Sequence, residues 1–339
     1  MTPIDRPLGP LLIDLEGPTL QAWERRRLEH PAVGGVILFA RNCQTAAQVR
    51  ALCTEIHGLR NPPLLIAIDQ EGGRVQRLRE GVTPFPPQAS LGRLAEREGL
   101  PKAVAMARIW GELLAWELRE LGIDVDFTPC VDLDRGISSV IGDRALHHDP
   151  EVVSALACAL WAGLQQQGIA GVAKHFPGHG GVTADSHCEL PEDRRSLDAL
   201  QEDLRPFRAL IAAGIPAMMT AHVRYPAVDD LPASFSPRWL TQILRQELGF
   251  TGVLISDDLS MGATLGLGSM EQRVDAALAA GCDLLLLCND PHAVDQALAH
   301  LPNPTVPHHP SLLAGKKKGA LCAHELTRYR QQIEELASL

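Results

Sequence analysis

Eight short apolar runs recur along the chain, and residues with a helical pattern separate each run from the next. The runs are continuously apolar instead of alternating with polar residues, which indicates strands buried on both faces. Strands of this kind that alternate with helices predict an α/β fold, a single-domain (β/α)8 barrel of TIM type. The predicted strands span residues 11–15, 33–40, 64–69, 125–131, 171–175, 217–221, 252–256 and 283–288.

Helix-start signals support the same alternation. Thr45 and Ser269 each precede a glutamine by three residues, as in a capping box, and Asp149 and Asp290 each precede a proline. A doubly wound open sheet is the alternative fold, but no Gly-x-Gly-x-x-Gly follows the first strand, so a dinucleotide site is unsupported. The predicted helices span residues 46–59, 100–121, 151–167, 197–213, 237–248, 270–280 and 291–300.

The domain limits, the net charge and the cysteine spacing lead to further expectations about partners and location. We expect the barrel to occupy residues 1–302, and the tail, 303–339, to form a loop and a helix that pack on it. The net charge of −10 argues against a nucleic-acid partner. No apolar run is long enough to cross a membrane and no signal peptide is visible, so we expect a cytoplasmic protein. We also expect it to be a monomer. The eight cysteines contain no Cys-x-x-Cys pair and are expected to be reduced.

The segment Lys-His-Phe-Pro-Gly-His-Gly at residues 174–180 is the strongest local signal of chemistry. Lys174 and His175 end a predicted strand, and the glycines and proline that follow predict a loop because they cannot continue a regular element. This loop carries Asp185 and His187, a pair suited to proton transfer. Asp257 ends another apolar run, directly after the predicted strand 252–256. A carboxylate facing a proton donor is the minimum equipment for cleaving a glycosidic bond with retention of configuration.

Polar residues also cluster at the predicted strand ends. In a barrel of this type the active site lies at the carboxyl ends of the strands. The mixture of Asp, Arg, Lys and His suits a ring of sugar hydroxyls, which need both donors and acceptors. The residues at these strand ends are Asp14, Glu16, Asp69, Asp132, Arg144, Lys174, His175, His222, Asp257 and Asp258.

Four motifs together resemble the bacterial β-N-acetylglucosaminidases of glycoside hydrolase family three, which are cytosolic enzymes of cell-wall recycling. They are residues 69–77 (DQEGGRVQR), 174–180 (KHFPGHG), 185–187 (DSH) and 256–261 (SDDLSM). The motifs are long and stand in the family's order, and the similarity runs from about residue 8 to about residue 300.

The resemblance implies a role for eight residues. Asp257 matches the family's catalytic nucleophile, His187 its acid/base histidine and Asp185 the carboxylate partner of that histidine. The resemblance further implies release of β-linked N-acetylglucosamine from 1,6-anhydro-N-acetylmuramic acid, with or without peptide, and neither a metal nor an organic cofactor. The positions that match residues holding the terminal sugar are Asp69, Arg77, Arg144, Lys174 and His175.

Three other functions stay open at this point. A metal-dependent barrel hydrolase would use the ligands His175, His179, His187, His222 and Asp257. A sugar-binding protein without turnover would leave the pair Asp185 and His187 unexplained. A phosphorylase is the third possibility, because a neutral acid/base repels phosphate less than a carboxylate does.

Several residues near the motifs receive structural interpretations. His179 is expected to pin its own loop, and Asp258 is expected to bind the backbone near its turn. Gly178, Gly180 and Gly181 are expected to act as hinges of a mobile loop, because glycine adopts many backbone conformations at low cost.

Overall fold

Eight parallel strands form one sheet in the computed structural model, which describes residues 3–186, 188–302, 313 and 319–338. We number these barrel strands β1 to β8 in chain order, and their order in the sheet is β7-β6-β5-β4-β3-β2-β1-β8. Their bounds are Leu11–Asp14, Val33–Leu38, Leu65–Ile68, Val125–Asp126, Ala170–Phe176, Ala217–Thr220, Val253–Ile255 and Leu285–Leu287.

The two ends of this sheet meet and close it into a barrel. A parallel bridge joins Ile255 of β7 to Leu284, the residue before β8, and the main-chain N–H of Ser256 donates to the Leu284 carbonyl. The predicted (β/α)8 barrel is therefore confirmed. Strand β4 is shorter than its apolar run because Pro129 has no N–H to donate to the ladder. Pairing with β5 resumes at Cys130, which bridges Lys174.

Nine α-helices and one π-helix are present in the described part of the chain. Helix α4 ends at Gly122 with a left-handed φ of +87°, and the predicted caps Thr45 and Ser269 accept hydrogen bonds from the first turns of their helices. The α-helices α1 to α9 span Ala22–Leu28, Ala46–His57, Ala89–Glu98, Leu100–Leu121, Pro150–Gln167, Gln201–Ala212, Met270–Ala280, Pro291–His300 and Ala323–Ala337, and the π-helix spans Arg238–Glu247.

The sequence prediction missed two of these helices, α1 and α3. Helix α1 has the sequence AWERRRL, and its three arginines leave little apolar periodicity. Helix α3 is separated from α4 by Gly99 alone, whose φ of +91° breaks the backbone path between them. No helix among the described residues is long and apolar enough to span a membrane.

The C-terminal helix α9 packs against α4 on the outside of the barrel. The Tyr329 hydroxyl donates to Glu112 Oε2 at 3.1 Å, and Arg330 Nη2 lies 2.9 Å from Glu117 Oε1. Both glutamates are buried, so these contacts fix the face of α9 that meets the barrel. Of the tail that precedes α9, residues 303–312 and 314–318 lie outside the described residues.

A hairpin follows β3 and shapes one side of the barrel mouth. It pairs Gln70–Gly72 with Val75–Gln76, and the buried Gln70 side chain holds the chain beyond it. Gln70 Oε1 accepts the main-chain N–H of Arg77 at 2.9 Å and of Leu78 at 3.1 Å. The hairpin thereby returns Arg77 to the vicinity of Asp69, the residue directly after β3.

Candidate active site

A cavity of about 430 Å³ opens at the end of the barrel where the strands terminate. Seven of the eight site residues expected from the sequence line it, although they come from five separate parts of the chain. The eighth, His187, lies outside the described residues. The seven residues are Asp69, Arg77, Arg144, Lys174, His175, Asp185 and Asp257.

A group of paired charges forms one side of the site: Asp69, Arg144 and Lys174 line the cavity, and Glu71 lies behind them. We call these four residues the charge cluster. Lys174 Nζ lies 2.7 Å from Asp69 Oδ1 and 2.5 Å from Glu71 Oε1. Burial alone would raise the pKa of Asp69, but Lys174 and Arg77 hold that pKa well below its usual range. The carboxylate of Asp69 is therefore an ionised acceptor at neutral pH.

Glu71 is the member of the charge cluster to which the sequence analysis gave no role. Its carboxylate receives Arg144 through two hydrogen bonds and Lys174 through an ion pair. A signal for it was present in the sequence, since residues two apart on an extended segment share a face. Glu71 follows Asp69 by two residues, so the placement of one carboxylate at the strand end predicts the other.

Asp132 supports the cavity from behind without lining it. Its Oδ2 lies 2.7 Å from His175 Nδ1, and its Oδ1 accepts the main-chain N–H of His179 at 2.6 Å. Burial would raise the pKa of Asp132, but His175 and His179 lower that pKa below its usual range. An ionised Asp132 therefore fixes the orientation of the His175 ring and the start of the loop after β5.

We call residues 177–186 the histidine loop. The Tyr225 hydroxyl donates to the Gly178 carbonyl at 2.5 Å, and His179 Nε2 lies 3.0 Å from Ser186 Oγ. The main-chain N–H of Ala263 donates to the Ser186 carbonyl at 3.1 Å. These contacts tie both ends of the loop to the barrel, and Asp185 lies at the cavity between them.

The hinge interpretation of Gly180 is not supported by its surroundings. A Cβ atom added to Gly180 would collide with the main-chain carbonyl of Leu133. A Cβ atom at Gly181 would meet the side chains of Arg195 and Asp193 instead. Both glycines therefore have a steric reason to be glycine, namely the close approach of the loop to its neighbours.

Asp257 and Asp258 are adjacent in sequence but occupy different surroundings. Both residues line the cavity, and Asp257 Oδ1 accepts the Asp258 main-chain N–H at 2.8 Å. Asp258 Oδ1 accepts the N–H of Ser260, the hydroxyl of Ser260 and the N–H of Cys288 at 2.8–3.1 Å. Burial raises the pKa of Asp258 to about 7. Asp258 thus shapes the turn that presents Asp257.

Four of the strand-end residues do not line the cavity: Asp14, Glu16, Asp132 and His222. Asp14 accepts the Asn289 main-chain N–H at 2.7 Å and pairs with Arg41. His222 is buried, and its Nε2 lies 3.0 Å from the Asp258 carbonyl. The expectation that all these residues converge on the cavity is therefore wrong. Some polar side chains at the strand ends instead form hydrogen bonds with the main chain of neighbouring loops.

The metal-ligand set considered from the sequence is not assembled among the described residues. Two other groups there bring three ligand atoms within 4.8 Å of one another. One is Cys130, Asp132 and His175, whose Asp132 is already engaged by His175 and His179. The other, Glu96, His147 and His148, is not part of the cavity.

Residues 11–307 match the N-terminal domain of glycosyl hydrolase family 3. The match covers nearly the whole barrel. The chain belongs to this family. As a member of glycosyl hydrolase family 3 it is a glycoside hydrolase, and the cavity at the barrel mouth is its candidate active site.

Bacterial relatives in the family are similar over most of their length. A protein of Nitrosomonas eutropha named beta-hexosaminidase is 52% identical over 295 residues, which cover 87% of this chain and 84% of the relative. A protein of Alkalilimnicola ehrlichii with the same name is 53% identical over 298 residues, covering 88% and 85%.

A solved structure in the family is similar over nearly the entire chain. NagZ from Neisseria gonorrhoeae, in complex with N-trifluoroacetyl-D-glucosamine, matches with a TM-score of 0.91 and 42% identity. The match covers 98% of this chain and 99% of that one.

Proposed function

We propose that this glycoside hydrolase is a retaining β-N-acetylhexosaminidase of cell-wall recycling in the cytoplasm. It removes terminal β-linked N-acetylglucosamine from 1,6-anhydro-N-acetylmuramic acid, with or without the attached peptide. The observation that carries the proposal is the convergence on one cavity of seven residues, six of them from the four motifs and the seventh Arg144. The names of the relatives and the amino-sugar complex of the gonococcal NagZ support the choice of sugar.

The terminal sugar is held by the charged wall of the cavity. Asp69 offers carboxylate oxygens to sugar hydroxyls, and Lys174, Arg77 and Arg144 offer N–H donors. Each sugar hydroxyl can both donate and accept a hydrogen bond, so a pair of neighbouring hydroxyls can bind an adjacent carboxylate and guanidinium. Asp69 and Arg77 form such a pair, with Arg77 Nη2 3.1 Å from Asp69 Oδ2. His175, oriented by Asp132, adds a ring nitrogen.

Asp257 is the nucleophile of the proposed reaction. Its carboxylate attacks the anomeric carbon as the glycosidic bond breaks, which forms a covalent glycosyl-aspartate with inverted configuration. A water molecule then displaces the aspartate, and the second inversion restores the original configuration. The N–H of Asp258, 2.8 Å from Asp257 Oδ1, orients the carboxylate toward the cavity.

His187 and Asp185 serve as the acid/base pair. The imidazolium of His187 donates its proton to the departing oxygen, and the neutral ring then takes a proton from the attacking water. Histidine needs little tuning for both steps because its ordinary pKa of about 6.5 is close to neutrality. Asp185, which lines the cavity, stabilises the imidazolium and fixes the ring.

Product analysis tests the proposal. The purified protein is incubated with an aryl β-N-acetylglucosaminide, with the matching β-glucoside, and with each substrate in the presence of phosphate. We expect free N-acetylglucosamine from the first substrate alone, with β-configuration at the earliest time points and no sugar phosphate. Cleavage of both sugars at equal rates, α-configuration at early times, or a phosphate-dependent sugar phosphate would contradict it.

Asp257→Ala provides the matched test of the nucleophile, with Asp258→Asn as the neighbouring control. We expect Asp257→Ala to lose detectable turnover while it keeps its cooperative unfolding transition. Near-normal activity of a folded Asp257→Ala protein would remove Asp257 from the role.

A further inference from the structure

Glu71 joins two cations of the cavity from a position behind them. It lies in the segment Gln70–Gly72, directly beyond β3, and only 1% of it is exposed. Its Oε2 accepts Arg144 Nε at 2.9 Å, and its Oε1 accepts Arg144 Nη2 at 2.8 Å and Lys174 Nζ at 2.5 Å. Arg144 and Lys174 line the cavity, whereas Glu71 does not.

Within the described residues, the two cations have few other anchors. Lys174 Nζ has one further carboxylate contact, with Asp69 at 2.7 Å, and Arg144 Nη1 lies 3.3 Å from the Val140 carbonyl. The carboxylate of Glu71 is the only anion of the charge cluster that contacts both cations. Two like charges close together in a buried setting repel strongly, so an anion between them is needed to keep both in place.

A count of donors shows what this arrangement leaves for a ligand. A lysine ammonium has three N–H groups and an arginine guanidinium has five. Lys174 directs two of its N–H groups to Asp69 and Glu71, which leaves one. Arg144 directs three of its groups to Glu71 and Val140, which leaves two on its Nη atoms. The remaining donors have fixed directions because the others are bound.

We propose that Glu71 is a positioning residue for the terminal sugar, acting by aiming the remaining donors of Arg144 and Lys174 into the cavity. The inference rests on the proposed function, since it assigns these donors to the hydroxyls of a bound N-acetylglucosamine. Glu71 itself does not touch the sugar. Because the cations hold the sugar before and during bond cleavage, the loss of Glu71 weakens sugar binding more than it slows the bond-breaking step.

The test compares Glu71→Gln with wild type and with Asp283→Asn. Glutamine keeps the size of Glu71 but removes its charge. Asp283 is the matched control because it is a buried carboxylate paired with Arg245 at 2.8 Å, at the opposite end of the barrel strands. We measure the KM and kcat for an aryl β-N-acetylglucosaminide, the Kd for N-acetylglucosamine by calorimetry, and the unfolding transition of each protein.

We expect Glu71→Gln to raise KM and Kd by about 10- to 100-fold while kcat falls by less than about fivefold. Asp283→Asn should lose stability but keep its KM and Kd within about twofold of wild type. A Glu71→Gln protein with unchanged KM and Kd would overturn the inference. Equal rises in both variants would also overturn it, because they would indicate a general loss of stability.

The pH profile supplies a readout that a purely structural role would not move. Lys174 faces Asp69, Glu71, Arg144 and the buried Asp126. Burial lowers the pKa of Lys174, but Asp69 and Glu71 raise it above its usual range. Removal of the Glu71 charge should therefore lower the alkaline pH at which the Kd for N-acetylglucosamine begins to rise. The Kd is the quantity to follow because the alkaline limb of kcat/KM reports the proton of the acid/base His187. A Kd profile that matches that of wild type at alkaline pH would contradict the assignment.

Two arms separate the possible failures. If Glu71→Gln does not fold, Glu71→Asp is used instead, because it keeps the charge but moves it back by the length of one methylene group. We expect this variant to raise KM as well. An unchanged KM in Glu71→Asp would overturn the inference. If wild-type protein neither binds N-acetylglucosamine nor cleaves its aryl glycoside, the proposed function fails and this inference falls with it. If wild type is active but Glu71→Gln has an unchanged KM and Kd, the inference about Glu71 is overturned and the proposed function stands.

Discussion

The charge cluster and the histidine loop lie on the same cavity, but different forces hold them. In the charge cluster, attraction between opposite charges joins residues that are far apart in sequence. Glu71 pairs with Arg144 across 73 residues, and Asp69 pairs with Lys174 across 105 residues. The histidine loop is held by hydrogen bonds to its main-chain carbonyls, such as the one that the Tyr225 hydroxyl donates to Gly178, and by close packing at Gly180.

The difference teaches how each part of the site responds to change. A buried charge that loses its partner is left without compensation for its desolvation, so the charge cluster tolerates changes of shape better than changes of charge. The histidine loop has few buried charges but approaches a neighbouring backbone closely, so it tolerates loss of a polar group better than an added methyl group.

Removing the shared cation of the charge cluster should have the largest effect. Lys174→Met leaves the Asp69 and Glu71 carboxylates buried near each other, and we expect a loss of about 3–5 kcal/mol in the free energy of unfolding. Urea unfolding followed by circular dichroism measures it. The double variant Lys174→Met with Glu71→Gln should regain part of that loss, because one unpaired anion is gone. A further loss in the double variant would contradict an electrostatic origin.

Added volume in the histidine loop should have the next largest effect. Gly180→Ala places a methyl group against the Leu133 carbonyl, which is fixed backbone, and should cost about 1–3 kcal/mol. Gly181→Ala is the comparison variant, because its methyl group would meet the side chains of Arg195 and Asp193 and not a backbone carbonyl. Thermal unfolding of both variants decides the question. A Gly180→Ala protein as stable as wild type would show that the approach to the Leu133 backbone does not require glycine.

The same contrast explains how much of the site the sequence could predict. The histidine loop was predictable because its signals, the strand end at Lys174 and the glycines after it, are local. The role of Glu71 went unassigned because its partner Arg144 lies 73 residues away, on a segment whose path the sequence does not determine. For the same reason, the strand-end position of His222 did not reveal that its side chain faces the Asp258 carbonyl instead of the cavity.

The barrel itself was predictable because continuous apolar runs are a strong signal of strands covered on both faces. All eight strands were found, and only their ends differed, as at β4, where Pro129 interrupts the pairing. Gly180 shows the limit of such reasoning. A glycine can be required by a positive φ, as at Gly178 with its φ of +134°, or by the close approach of another main chain, as at Gly180. The sequence alone does not distinguish these two reasons.

A pH titration tests the electrostatics of the charge cluster at its buried end. Burial, helped by the nearby Asp69 and Glu71, raises the pKa of Asp126 to about 8 although the Gln70 N–H and Lys174 act to lower it. The unfolded chain loses this proton near pH 4, so the native state binds the proton more tightly between about pH 4 and about pH 8. The stability due to this group is therefore fully present at low pH and is lost as the pH rises through that range.

Asp126→Asn removes this titration and keeps the shape of the side chain. The wild-type free energy of unfolding should fall relative to that of Asp126→Asn by up to about 1.4 kcal/mol per pH unit between about pH 5 and about pH 8. Urea unfolding of both proteins at three pH values measures the slope. Parallel curves for the two proteins would mean that Asp126 is ionised throughout the range.

Removing a hydroxyl from the histidine loop should have the smallest effect. Ser186→Ala deletes the contact between Ser186 Oγ and His179 Nε2 at 3.0 Å, but it keeps the Ser186 carbonyl that accepts the Ala263 N–H. We expect a loss of about 0.5–1.5 kcal/mol, the usual contribution of one hydrogen bond, with the backbone of the loop still anchored. A double-mutant cycle with His179→Ala isolates the contact, and the coupling should be about 1 kcal/mol. Coupling near zero would show that the main-chain contacts alone hold the loop, and a loss as large as that of Lys174→Met would erase the distinction between the two regions.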